Sequence, residues 1–273
     1  MIAATRVVAD GSTPEHTIVM LHGIYGRGRN WQGIARALVA TRPEYACLLV
    51  DLPYHGDSGP ASSADTVGGM ASDVARWLEA ETERPRAVLG HSYGGKVALA
   101  LSAFHPDAPL QVWVIDSTPE MKPASGSAWD MLRLVRRLPS RFPSREAAVS
   151  AIVAGGFTLG VGQWMGTNLA RDGDGFVWRI DFDVMERLLH DFFATDLWAA
   201  ISDAPPAHEF HFVKASDSSA MSEEAAARVE AIGPPRAALH RRAGGHWIHA
   251  ESPEVVTALL AEYLPPGQER KDA

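Results

Sequence analysis

The chain has 273 residues, 46% of them hydrophobic and 21% charged, with a formal net charge of −8. That length buries a large core and fits one domain of the larger α/β kind, or one domain carrying a sizeable insertion. The acidic balance argues against a nucleic-acid partner, which needs a basic patch to displace counterions from phosphate, and the single cysteine, Cys47, excludes an intramolecular disulfide.

Residues 1–10 lack the apolar stretch of a signal peptide, and no segment approaches the length of a membrane span. The expectation is a soluble, cytoplasmic protein without a membrane partner. Residues 17–21 read as a buried strand that runs into His22-Gly23-Ile24-Tyr25-Gly26. A second apolar run, 47–50, makes Cys47 a small core hydrophobe rather than a nucleophile. It leads into Asp51-Leu-Pro-Tyr-His-Gly-Asp-Ser-Gly59, a turn-rich connection read as a structural loop. His55 and Asp57 within it lack the further ligands that a metal would require.

Met70, Val74, Trp77 and Leu78 then repeat at helical spacing before Pro85. Residues 87–89 form a strand, and Val97, Ala98, Leu101 and Phe104 give a helix before Pro106. Residues 111–115 form another strand, which ends in Asp116. From 119 to 205 the strand-helix alternation stops. This stretch holds Trp129, Trp164, Trp178, Phe192, Phe193 and Trp198 and a helical pattern over 184–193, and is read as a mostly helical cap packed over one edge of the sheet.

Residues 210–213 resume the strand pattern. The final helix takes Ser252 as N-cap and Pro253 in its first turn, and buries Val256, Leu259, Leu260 and Tyr263. The tail, 265–273, reads as frayed. The fold class is therefore α/β, a mostly parallel sheet with helices on both faces. Residues 1–118 and 206–273 form the core and 119–205 the insertion.

The strongest local signal is Gly90-His91-Ser92-Tyr93-Gly94, entered from a strand and left by a helix. A serine on so tight a turn has its hydroxyl lifted clear of the sheet, and the flanking glycines remove the Cβ atoms that would clash. The helix that follows directs free N–H groups toward charge that develops during attack. Tyr93, after the nucleophile, and Ile24, after the His-Gly pair, are the expected oxyanion donors. Residues 90–96 also satisfy G-x-x-x-x-G-K, but Val97 stands where a phosphate loop needs Ser or Thr, so nucleotide binding is disfavoured.

A serine nucleophile needs a base. His246, after Gly244-Gly245 and between the last strand and the last helix, fits that role better than His249. His249 is read as packing beneath it or capping the helix, and His246-x-x-His249 lacks the carboxylates of a metal site. The base in turn needs an acid. Asp116 and Asp217 both lie at strand ends and both keep the chain order Ser, acid, His. Asp116 follows the more hydrophobic strand and is preferred, whereas Asp217, among Ser216, Ser218 and Ser219, looks like a turn-former.

Leu21-His-Gly, Asp51-Leu-Pro-Tyr-His-Gly-Asp-Ser58, Gly90-His-Ser-Tyr-Gly-Gly95 and Gly245-His246 together resemble the α/β-hydrolase superfamily over nearly the whole chain. Asn30-Trp-Gln-Gly-Ile-Ala35, Gly95-Lys-Val97, Val114-Ile-Asp-Ser117 and Gly245-His-Trp-Ile-His-Ala250 are similar to its esterase branch of small bacterial acyl-ester and thioester hydrolases and a mitochondrial relative in animals. The resemblance implies that the acid can follow the strand after the elbow helix, at Asp116, with a serine, here Ser218, near the more usual acid position. Ala215-Ser216-Asp217 departs from the branch, where glycines are more usual, and Asp217 keeps the acid assignment open.

The expected activity is therefore two-step cleavage of small or apolar carboxylic esters, with thioesters as a variant, by Ser92, His246 and Asp116, without metal or organic cofactor. The rival readings are C–C bond hydrolysis or cofactor-free peroxidation on the same Ser-His pair, and a slow-turnover ligand receptor. The expected partner is a small-molecule ester; the sequence leaves the oligomeric state open.

Overall fold

A computed structural model describes residues 1–267. Its centre is a seven-stranded sheet: β1 (Ala4–Val7), β2 (His16–Leu21), β3 (Tyr45–Val50), β4 (Ala87–His91), β5 (Gln111–Ile115) and, beyond the insertion, two further strands at Glu209–Ala215 and Ala237–Arg242. Between these lie three short strands, β6 (Arg141–Phe142), β7 (Leu169–Asp172) and β8 (Gly175–Trp178), so the last two of the large sheet are β9 and β10. The order across the sheet is β1-β3-β2-β4-β5-β9-β10. Every neighbouring pair is parallel except β1 with β3.

Period-two alternation divides the strands between two cores. Val19, Leu21, Val88, Val112 and Val114 face α2 (Val67–Ala80, counting Gln32–Thr41 as α1) and α3 (Tyr93–Leu101). Ile18, Met20, Cys47, Leu89, Trp113 and Ile115 face α1 and the C-terminal helix, Pro253–Tyr263. Burial on both faces is why the central strands read as continuous apolar runs. The edge strands β1 and β10 carry exposed and polar residues, and the apolar pattern gave β1 no signal and β10 no bounds.

Chain order sends β3 to one side of β2 and β4 to the other, so the loops after β2 and β4 flank a crevice at the carboxyl ends of the strands. The 119–205 stretch crosses that end rather than one edge of the sheet. It contains α4 (Ser127–Val135), α5 (Arg145–Ala154), α6 (Leu159–Gly166), α7 (Phe182–Ala194) and α8 (Trp198–Ser202). It also contains the antiparallel sheet β6-β8-β7, an addition to the mostly helical expectation.

Its polar contacts reach the loops after β2 and β3. Asn168 Nδ2 donates to Tyr25 O at 2.7 Å, Tyr25 Oη to Ala128 O at 3.0 Å, and Arg179 pairs with Asp57 at 2.9 Å. Asp57 is thus an ion-pair partner, and His55 is buried with Nδ1 on Pro53 O.

Among the described residues, three helices follow the insertion: α9 (Glu223–Ile232), the short α10 (Ile248–Glu251) and α11 (Pro253–Tyr263). Pro253 opens α11 as expected, but Ser252 makes no side-chain capping bond and Tyr263 remains 40% exposed. Its ring lies instead beside Trp113, His211 and His240. The end of the chain is not frayed at Pro265, whose carbonyl accepts from Arg42 Nη2 at 2.7 Å and Tyr45 Oη at 2.8 Å. Residues 268–273 of that expected tail lie outside the described residues.

Burial pushes His55 down to about 4 and His249 down to about 3, so both stay neutral in the fold while the unfolded chain titrates near 6.5. Below pH 6.5 the unfolded state binds more protons, so this part of the stability is complete above that pH and falls as pH drops toward 4. Urea midpoints should decrease between pH 7.5 and 5, and His249→Phe should make the decrease shallower. An identical pH slope in wild type and variant would remove His249 from this account.

Candidate active site

The elbow between β4 and α3 places Ser92 at φ 51° and ψ −116°, a left-handed conformation unfavourable for any residue with a Cβ. Its N–H is secured on Ile115 O at 3.0 Å. A Cβ at Gly90 would stand 2.0 Å from Gly94 O, and one at Gly94 would stand 2.4 Å from His22 O, so both flanking positions require glycine. The second clearance also shows that the β2 loop lies against the first turn of α3.

The loop after β10 brings His246 over Ser92. Its Nε2 lies 3.1 Å from Ser92 Oγ, and its Nδ1 lies 2.6 Å from Asp116 Oδ2. With Nδ1–H donating to the carboxylate, Nε2 is left as the acceptor of the serine hydroxyl proton. Asp116, at φ 43° after β5, is fully buried. Its Oδ1 accepts from Ala215 N at 3.1 Å, and its Oδ2 accepts from Ser218 Oγ at 2.5 Å as well as from His246.

Ser218 therefore lies on the carboxylate. Asp217 does not: it is exposed, accepts from Ser216 Oγ at 2.9 Å and donates its N–H to Gly244 O, as a turn residue does. The His249 ring centroid lies 3.9 Å from that of His91 and 5.0 Å from that of Trp31, and its ring makes no hydrogen bond to Ser92.

Ile24 and Tyr93 lie on the two adjoining loops, both buried, and among the described residues neither N–H donates to a protein acceptor. His22 accounts for the direction of the first. Leu52 N donates to its Nε2 at 2.9 Å, so Nδ1 carries the proton and donates to Gly23 O at 2.8 Å; Gly26 N also donates there. In a trans peptide the carbonyl and the following N–H point oppositely, so pinning Gly23 O turns Ile24 N–H to the other side.

His91 acts on the base from below, donating from Nε2 to His246 O at 2.7 Å. Burial, with His249 and His246 nearby, holds His91 well below the usual histidine range, so its ring is neutral. The sequence gives neither ring a role, because Leu52 N and His246 O reach His22 and His91 only in the fold.

The Lys96 side chain, which followed the glycines like that of a phosphate loop, points away from any such role. It is fully buried, and Nζ donates to Glu120 O at 2.8 Å, Phe192 O at 2.6 Å and Thr195 O at 2.7 Å. Burial pushes it down to about 8, yet three carbonyl acceptors use all three N–H bonds of an ammonium and favour the charged form. It thereby fastens α3 to the carboxyl end of α7, where the helix dipole welcomes a cation.

The cleft above Ser92 and His246 encloses about 460 Å³ including its open mouth. Tyr93, Ala128, Leu189, Phe192 and Phe193 give it an apolar wall, and Lys122, Ser125 and Ser219 a polar one. Among the described residues no group of three or more His, Cys, Asp or Glu side chains is arranged to hold a metal ion, and no helix is long and apolar enough to cross a membrane.

The sequence matches the Alpha/beta hydrolase family over residues 18–259. The chain belongs to that family. Among its relatives, the sn-1-specific diacylglycerol lipase ABHD11 of Xenopus tropicalis is 28% identical over 265 residues, spanning 91% of this chain and 79% of that protein. Esterase YbfF of Escherichia coli (strain K12) is 28% identical over 251 residues, spanning 90% and 92%. The solved structure of a marine microorganism esterase shares the α/β-hydrolase fold with a TM-score of 0.79 at 23% identity, covering 96% of this chain and 99% of that one.

Replacing Lys96 with Met would leave three buried or part-buried carbonyls without this donor. The expected cost is about 3 kcal/mol, read as a lower urea midpoint. A midpoint equal to wild type would refute the structural role of this ammonium.

Proposed function

We propose that the chain is a serine carboxylic-ester hydrolase that works through an acyl-enzyme. The observation that carries this reading is the continuous line from Ser92 Oγ to His246 Nε2 at 3.1 Å and from His246 Nδ1 to Asp116 Oδ2 at 2.6 Å. Ser92 attacks the ester carbonyl while His246 takes its proton, and the imidazolium that forms is stabilised by the Asp116 carboxylate.

The negative charge on the tetrahedral oxygen is taken up by the N–H groups of Ile24 and Tyr93, which are free of competing acceptors and need no reorganisation. His246 then returns the proton to the departing alcohol. Water, deprotonated by the same ring, releases the acid and restores Ser92.

Ester cleavage is the chemistry shared by the names of both relatives, a lipase and an esterase, and this supports the substrate bond. Thioesters present the same carbonyl to the same serine and belong to the proposal as a second bond type. Residues 119–205 serve as a cap, whose Leu189, Phe192 and Phe193 give the apolar part of a substrate a dry surface.

A fluorophosphonate probe should label Ser92, as mapped by mass spectrometry of the digested protein. Ser92→Ala should abolish labelling and lower turnover of short acyl esters by on the order of 10⁶-fold in a folded sample. Persistent cleavage by that variant would end the proposal. Between the two carboxylates, Asp116→Asn should reduce kcat by on the order of 10⁴-fold through loss of the correct imidazole tautomer, with Asp217→Asn near wild type. The opposite ranking would transfer the acid role to Asp217.

A further inference from the structure

Lys122 stands in the wall of the cleft that holds Ser92 and His246. Two of its three N–H bonds go to main-chain oxygens, Ser219 O at 2.7 Å and Ala220 O at 2.9 Å, which leaves one donor of a positively charged group without a protein acceptor among the described residues. The two carboxylates near enough to influence it are committed elsewhere. Glu120 accepts from Ser222 N and Oγ, and Asp116 from Ala215, Ser218 and His246.

Among the described residues that line the cleft there is no aspartate or glutamate, in a chain whose net charge is −8. A half-buried cation with a spare donor, bordered by Ser125 and Ser219, offers a place for an anion close to the scissile carbonyl.

On this basis, and resting on the serine-hydrolase reading above, we propose that the preferred substrates are esters carrying a carboxylate, and that Lys122 is the residue that selects them. The ammonium and the Ser125 and Ser219 hydroxyls bind the carboxylate, while Leu189, Phe192 and Phe193 cover the apolar chain between the two ends. The anion belongs either to the acyl part or to the alcohol part of the ester, and paired substrates separate these.

Mono-4-nitrophenyl adipate against 4-nitrophenyl hexanoate exchanges a terminal methyl for a carboxylate on the acyl side. 4-Acetoxybenzoate against 4-tolyl acetate does so on the alcohol side. For wild type, one anionic member should exceed its neutral counterpart in kcat/KM, and its KM should rise with added KCl while the neutral one stays flat. In Lys122→Met the anionic-to-neutral ratio for that pair should fall about tenfold or more, chiefly through KM, with partial recovery in Lys122→Arg.

An unchanged ratio in both pairs would overturn the assignment. So would an equal fall on neutral and charged members, since Lys122 would then act only by holding the Ser219–Ala220 main chain. Lys122→Gln, which keeps a donor without the charge, repeats the ratio if the Met variant does not fold. Hexanoate cleavage that survives Ser92→Ala would count against the nucleophile, a failure distinct from that of the Lys122 selection.

Discussion

A carboxylate with no access to water is the constraint on which this site depends. Moving an ionised carboxyl from water into a protein interior is strongly unfavourable unless donors surround it. Asp116 meets that demand with donors from three places: the β9 main chain at Ala215, the loop beyond it at Ser218, and His246 from the loop after β10. The side chain that orients the imidazole is therefore also the point at which three carboxyl-terminal segments are joined. Its own positive φ turns it out of line with β5 and toward those partners.

The same economy of parts governs the other half of the site. The strand order makes the β2 and β4 loops neighbours, and the glycines of the elbow let their main chains come closer than any side chain would allow. Two histidines outside the Ser92–His246–Asp116 line then fix the backbone. His22 fixes the Gly23–Ile24 peptide, and His91 holds the main chain of His246. Both are buried and neutral, which suits rings that hold carbonyls without placing a positive charge beside the His246 ring.

Much of this was legible in the sequence because it is local. Central strands buried on both faces leave apolar runs, and the elbow leaves glycines at fixed offsets around Ser92. The Asp116 carboxyl could be ranked above that of Asp217 by the hydrophobicity of the strand before it. What escaped was either polar by design or dependent on long-range partners. Edge strands β1 and β10 face solvent and lack the apolar signature, and the small sheet β6-β8-β7 is built from strands too short to show a period. Lys96 resembled part of a phosphate loop, and only the fold brings Glu120, Phe192 and Thr195 around it. That the insertion crosses the strand ends was hidden because its contacts with Tyr25 and Asp57 are made by residues more than a hundred positions away.

The buried ammonium between α3 and α7 also limits how the molecule can breathe. A rigid swing of α7 away from the sheet would strip that charge of Phe192 O and Thr195 O together and leave it only Glu120 O. Displacements of the rim around Ser125 and Gly126, which line the same cleft but take no part in that knot, carry no such penalty. Movement of that rim therefore costs less than movement of α7.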